Sequence, residues 1–173
     1  KPEVIPQMNP HHLKFNLSHS EQMIVLAMTY NQEIGVDIEF LNSNTPTKDL
    51  AKHTFAPQEY QQLKNLDTQA FHKHFFDFWT LKEAYIKACG MGLSIPLDSF
   101  AFSFLKNESI QINFEVSRQD DPEQWQFWQM NPSPEYIVSL GLKSREVSQK
   151  CIIMREIIPL ESYSIVDHKS LTN

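Results

Sequence analysis

The spacing of apolar residues changes character twice along the chain. Ile24–Met28 is a short apolar run, Tyr30-Asn-Gln-Glu33 supplies turn chemistry, and Ile34–Glu39 alternates strictly, which predicts a β-hairpin. Asn42–Thr47 reads as a polar loop, followed by helices over Lys48–Phe55 and Pro57–Leu66, the second with proline in its first turn. The longest helical pattern is Gln69–Cys89. At 100° per residue, Phe71, Phe75, Phe78, Trp79, Tyr85, Ile86 and Cys89 share one arc, and Gly90 and Gly92 end it. Lys82 falls inside that arc, so its stem is expected to pack while its ammonium reaches water. The period then becomes two. Phe100, Phe102 and Phe104 alternate, Lys106–Ser109 turns, and Ile110, Ile112 and Phe114 alternate again. Trp125–Met130, Tyr136–Leu142 and Cys151–Ile158 are further strands, and Ser162–Asn173 reads as a loose polar tail. Helices followed by adjacent short-turn strands predict an α+β fold, with an antiparallel sheet packed against the long helix.

Composition narrows the class. At 173 residues and 41% hydrophobic, the chain can bury a core. A formal charge of −6 argues against an electrostatic grip on nucleic acid. No apolar run approaches the roughly 20 residues that cross a bilayer, and Lys1–Pro10, with three prolines and no apolar core, is unlike a signal peptide. Cys89 and Cys151 do not make a disulfide framework. The expectation is a cytoplasmic protein with no nucleic-acid or membrane partner. The extended, proline-spaced opening at Lys1 reads like a cut linker, so an earlier part is expected.

Three segments offer chemistry. On the strand Ile34-Gly-Val-Asp-Ile-Glu39, Gly35, Asp37 and Glu39 share a face. Two carboxylates there suit a hard cation, with Gly35 leaving room for a ligand, while the plainer reading is a solvated strand face. On the helix, Glu83 and Lys87 are i,i+4 neighbours. They are either a surface ion pair or a shielded carboxylate beside a phosphate-binding lysine. Asn16-Leu-Ser18-His19-Ser20, just upstream, reads as a polar loop whose hydroxyls and imidazole suit phosphate better than nucleophilic catalysis. His72 and His74, at i and i+2, share no helical face, and no zinc-ligand spacing is present.

Taken in order, Asn16-Leu-Ser-His-Ser20, Gly35-Val-Asp-Ile-Glu39 and Trp79-Thr-Leu-Lys-Glu-Ala-Tyr-Ile-Lys87-Ala-x-Gly-x-Gly-Leu93 resemble the 4′-phosphopantetheinyl transferases of the two-lobed Sfp type. Lys1-Pro2 and Pro96-Leu-Asp-Ser-Phe100 extend the match, which covers roughly Lys1–Leu142 as a catalytic lobe and leaves 143–173 as an extension. The smaller trimeric holo-acyl-carrier-protein synthases lack the Asn-x-Ser-His-Ser motif.

The resemblance implies a transferase-like lobe that moves phosphopantetheine from coenzyme A to a serine of an apo acyl or peptidyl carrier protein, releasing 3′,5′-ADP. It implies Mg²⁺ held by Asp37, Glu39 and Glu83, phosphate contacts from Ser18 and His19, and a pyrophosphate contact from Lys87. Lys1 matches a lysine that touches coenzyme A, and either Glu83 or Glu59 is the base, with Glu83 preferred for its place at the metal. Metal, lysine and histidine suit attack on a phosphoanhydride, where charge builds on oxygen. Family members of this type carry an earlier lobe. The chain is therefore expected to be a catalytic fragment, to pair as a homodimer, or to be a non-catalytic module that binds carrier protein or coenzyme A. A generic Mg²⁺-dependent phosphate binder is the remaining reading.

Overall fold

The computed structural model describes residues 2–41, 46–105, 109–144, 150–158, 160, 162–166 and 170–172. The first strands are β1 (Leu13–Ser20), β2 (Met23–Tyr30) and β3 (Glu33–Phe40). The hairpin is β1–β2, in register from Leu13↔Tyr30 to Ser20↔Met23, and its turn uses Glu21 at φ 50°. The expected β2–β3 hairpin is therefore a misreading. β3 instead pairs antiparallel with β7 (Tyr136–Lys143), which pairs with β6 (Trp125–Met130). Asn16–Ser20 lies within β1 and is no loop. Its hydrophobic alternation is hidden because its inward positions, Asn16, Ser18 and Ser20, are polar.

The helices follow the expected pattern. α1 (Lys48–Thr54) is capped by Thr47, and α2 (Pro57–Leu63) has proline in its first turn. α3 (Thr68–Cys89) starts at Asp67, whose carboxylate accepts the Ala70 N–H, and ends at Gly90 with φ 71°. The β4 (Phe100–Phe104) and β5 (Ile110–Phe114) hairpin packs with α3 around Phe71, Phe75, Phe78, Tyr85, Phe100 and Phe127. The other face of the central sheet carries Ile34, Val36, Ile38, Trp128, Val138 and Leu140, covered by Met23, Val25 and Ala27 of β2. The sheet thus lies between α3 and the β1–β2 hairpin.

The C-terminal stretch departs from expectation. The strand read over Cys151–Ile158 begins at Arg155, as β8 (Arg155–Ile158), and pairs with β9 (Ser162–Ile165) in an exposed hairpin. The tail read as loose contributes β10 (Ser170–Thr172) to the edge of β6, so backbone pairing orders it where its polar side chains give no apolar signal. Among the described residues, no helix is long and apolar enough to cross a membrane.

Lys82 overturns the snorkelling expectation. It is fully buried, and its ammonium lies 2.8 Å from the equally buried Glu59 carboxylate. A tertiary partner inside the core removes the reason for the charge to seek water.

One surface network yields a prediction. Asp120 accepts from Lys143 at 2.8 Å, Tyr85 at 2.9 Å, the Asp121 N–H at 2.9 Å and Trp125 at 3.2 Å. Burial opposes ionisation, but these donors outweigh it and hold the carboxyl below the usual carboxylate range. A depressed folded-state pKa adds stability above the unfolded value of about 3.9, lost as pH falls through the native one. The denaturant midpoint of Asp120→Asn is therefore expected to lie below wild type at neutral pH, and the gap to close on acidification. A gap that widens on acidification contradicts this reading.

Candidate functional site

β1 and β3 run side by side in the same direction, joined through side chains. Asn16 Oδ1 accepts the Val36 N–H at 2.8 Å, and Ser20 Oγ accepts the Phe40 N–H at 3.0 Å. Between them, Ser18 Oγ donates to Asp37 Oδ1 at 3.0 Å. The polar alternation of β1 therefore satisfies the free edge of β3 and delivers a hydroxyl to its central carboxylate.

α3 completes the arrangement because Gly35 lets it lie directly on the sheet, while Gly141 makes room for the Phe127 ring. A Cβ at Gly35 would stand 2.0 Å from the Ala84 carbonyl oxygen and 2.3 Å from the Ala88 nitrogen, and one at Gly141 would meet Phe127 at 2.9 Å. The space expected at Gly35 for a ligand is filled by the helix backbone. That approach brings Lys87 Nζ to 2.5 Å from Asp37 Oδ1 and 2.9 Å from Ser18 Oγ. One residue from each of β1, β3 and α3 thus closes a triangle. Lys87 keeps 28% of its side chain exposed, so the triangle opens to solvent.

The strand face is not solvated: Asp37 is 4% exposed, and its Oδ2 is buried without a hydrogen-bond partner among the described residues. Burial pushes the Asp37 pKa up, against the pull of Lys87 and Ser18. Glu39, whose Oε1 accepts the Trp79 indole N–H at 3.1 Å, is pushed up to about 7 by burial and by the charges of Asp37 and Glu83. Glu83 is raised as well, by burial and then by Asp37. The three carboxylates therefore feel one another's charge, with the Lys87 ammonium among them. Among the described residues, no three His, Cys, Asp or Glu side chains stand arranged as a metal cluster. Lys87 occupies Asp37 Oδ1 and Trp79 occupies Glu39 Oε1. The donor set is nonetheless oxygen-rich, and an orphaned, buried carboxylate oxygen is what a hard cation would satisfy.

Other expected residues lie elsewhere. His19 is exposed, on the face of β1 opposite Ser18, so the structure does not bring that pair together. Glu59 is fully enclosed with Lys82. Lys1 lies outside the described residues. Sequence reasoning assigned no role to Asn16 and Ser20, although their period-two spacing with Ser18 was the available signal.

A family model described as the 4′-phosphopantetheinyl transferase superfamily matches residues 33–141. The chain is 44% identical over 82 residues to the 4′-phosphopantetheinyl transferase HetI of Nostoc sp., covering 47% of this chain and 35% of that protein. It is 35% identical over 108 residues to the 4′-phosphopantetheinyl transferase Sfp of Bacillus subtilis, covering 62% of this chain and 46% of that one. The chain thus spans less than half the length of these relatives. Among solved structures, the holo-[acyl-carrier-protein] synthase of Thermotoga maritima aligns with a TM-score of 0.50 at 15% identity, over 78% of this chain and 82% of that chain, a likeness of fold.

Proposed function

Because the chain belongs to the 4′-phosphopantetheinyl transferase superfamily, we propose that it transfers the 4′-phosphopantetheine group of coenzyme A to a serine hydroxyl of an apo carrier protein. In this reaction the serine oxygen forms a bond to the pantetheine-bearing phosphorus and the pyrophosphate P–O bond breaks. The serine proton goes to a carboxylate, and 3′,5′-ADP leaves. The observation that carries the reading is the triangle of Ser18, Asp37 and Lys87 with the unpartnered Asp37 Oδ2.

Each side chain has a task in this reading. Lys87 offers a cation to the phosphate oxygens, where charge builds as the bond breaks. Ser18 donates to the same region. Asp37, Glu39 and Glu83 would hold Mg²⁺, which supplies charge neutralisation for the pyrophosphate when bound. Glu83, half-buried with its proton affinity raised, is the base we assign. Glu59 is not, since both its oxygens accept hydrogen bonds inside a closed core.

We read 1–142 as the catalytic lobe and 143–173 as an extension, acting in the cytoplasm. The outer face of the β1–β2 hairpin supports a second body, either an earlier lobe or another copy. Its cross-strand pairs Leu13–Tyr30, Phe15–Met28 and Leu17–Leu26 are apolar, and Ile24 and Tyr30 are 69% and 68% exposed. The test is chromatography of 3′,5′-ADP released from coenzyme A with an apo carrier protein and Mg²⁺. Release that stops with EDTA and falls about 10²-fold or more in Glu83→Gln is expected. Coenzyme A binding without release by the folded chain would instead establish a non-catalytic module.

A further inference from the structure

We infer that the buried Glu59–Lys82 pair is a positioning device: it locks the rotation of α3 so that Glu83 and Lys87 face Asp37, and it takes no part in proton transfer. The inference rests on the functional reading above for its kinetic consequence, but on geometry for its substance.

Lys82 is saturated. Its ammonium donates to Glu59 Oε2 at 2.8 Å and to the carbonyls of Leu97 and Phe100 at 2.6 Å each, and it stands 4.3 Å from the centre of the Phe100 ring. Three donors meet three acceptors, and none is left to rotate elsewhere. Glu59 is as constrained, Oε2 accepting the Ala56 N–H at 3.0 Å and Oε1 the Phe102 N–H at 2.8 Å. One ion pair therefore ties α3 to α2, to the turn at Leu97 and to β4. Both side chains are 0% exposed, so no substrate serine reaches Glu59.

Helical geometry converts that anchor into a phase. Successive residues are 100° apart, so Glu83 lies 100° and Lys87 140° around from Lys82, and the two emerge within 40° of each other. Gly35 sets how closely α3 lies on the sheet but supplies no directional bond that fixes its turn about the axis. A directional, buried pair does, whereas apolar packing of the same volume tolerates small rotations. In some proteins a buried ion pair serves specificity more than stability. The hydrogen bond between Lys87 and Asp37 leaves little tolerance for rotation.

The experiment compares Glu59→Gln, Lys82→Met and their combination. Glu59→Gln leaves the ammonium without its carboxylate, and Lys82→Met leaves Glu59 and the Leu97 and Phe100 carbonyls without their donor. Each single change is therefore expected to lower the melting temperature. The double variant, uncharged and of similar volume, is expected to recover the part of that loss due to an unpaired buried charge. Despite that recovery, its kcat is expected to stay about 10- to 100-fold below wild type, as small misplacements of reacting groups do. The limbs of its pH–rate profile should match wild type. A double variant with wild-type kcat shows a merely structural pair and overturns the inference. Loss of one limb in Glu59→Gln alone, retained in Lys82→Met, shows acid–base chemistry and overturns it too. A crystal structure of the double variant decides independently of activity. Lys87 Nζ beyond hydrogen-bond distance of Asp37 supports the inference, and an unchanged contact contradicts it. A wild-type chain without transfer would defeat the functional reading alone and leave this structural comparison standing.

Discussion

Gly35→Ala is expected to lower the melting temperature by about 6–12 °C, from an overpacking cost near 3 kcal/mol. The added methyl meets backbone, the Ala84 carbonyl at 2.0 Å and the Ala88 nitrogen at 2.3 Å, so no side chain can rotate away to relieve it. The helix must lift from β3 by about 1 Å or more to restore ordinary contact. That lift acts on the site as well as on stability, because Lys87 reaches Asp37 only where α3 touches β3. Transfer activity is expected to fall about 10²-fold in the fraction that stays folded. Thermal unfolding by circular dichroism checks the first outcome. An alanine variant that melts with wild type would mean that the helix does not lie on the sheet at Gly35.

Lys87→Met is expected to cost about 3 kcal/mol or more at neutral pH and about 10² or more in rate. Asp37 is 4% exposed and its carboxylate accepts from the side chains of Lys87 and Ser18, so losing the ammonium strands a carboxylate already raised by burial. The pH dependence has a definite sign. A carboxyl with a raised folded-state pKa favours the native state below its unfolded value and disfavours it as pH rises through the folded one. The gap between wild type and Lys87→Met in urea should therefore widen as pH rises above the ordinary carboxylate range. Adding Asp37→Asn to the variant should shrink that pH dependence, leaving the part that Glu39 and Glu83 carry through the same lost ammonium. A gap that narrows as pH rises would show that Asp37 is not the group left unpaired.

These effects indicate why parts of the molecule were legible and parts were not. α3 could be read from its aromatic arc, its Asp67 start and its Gly90 stop, because each is a local signal. β4 through β7 were readable because one or both faces are apolar. β1 was not, since Asn16, Ser18 and Ser20 face inward to bond the β3 edge, and a polar inner face carries no period-two hydrophobic signal. The hairpin was assigned to the wrong pair because β3 finds its partner more than 90 residues later, in β7. Lys82 was misplaced for a similar reason: its acceptors lie on α2, the Leu97 turn and β4, none adjacent in sequence.

The site residues were legible by type rather than by geometry. Asp37, Glu83 and Lys87 stand out by spacing, Asp37 two residues from Glu39 on a strand and Glu83 one helical turn from Lys87, and the structure gathers Asp37 and Lys87 with Ser18. The alternation that made Asp37 and Glu39 visible also separates Ser18 from His19, which sequence proximity had joined. Gly35 was singled out for the right property, the absence of a side chain, but the body that approaches it is a helix.

In the proposed reaction the Ser18–Asp37–Lys87 triangle and its neighbouring carboxylates carry out phosphopantetheine transfer. Intact-protein mass spectrometry of an apo carrier protein, incubated with the chain, coenzyme A and Mg²⁺, tests it most directly. The expected result is the gain of one phosphopantetheine group, abolished by EDTA and by Asp37→Asn in a folded variant. An equal gain with Asp37→Asn, or no gain from the folded wild-type chain, would contradict it.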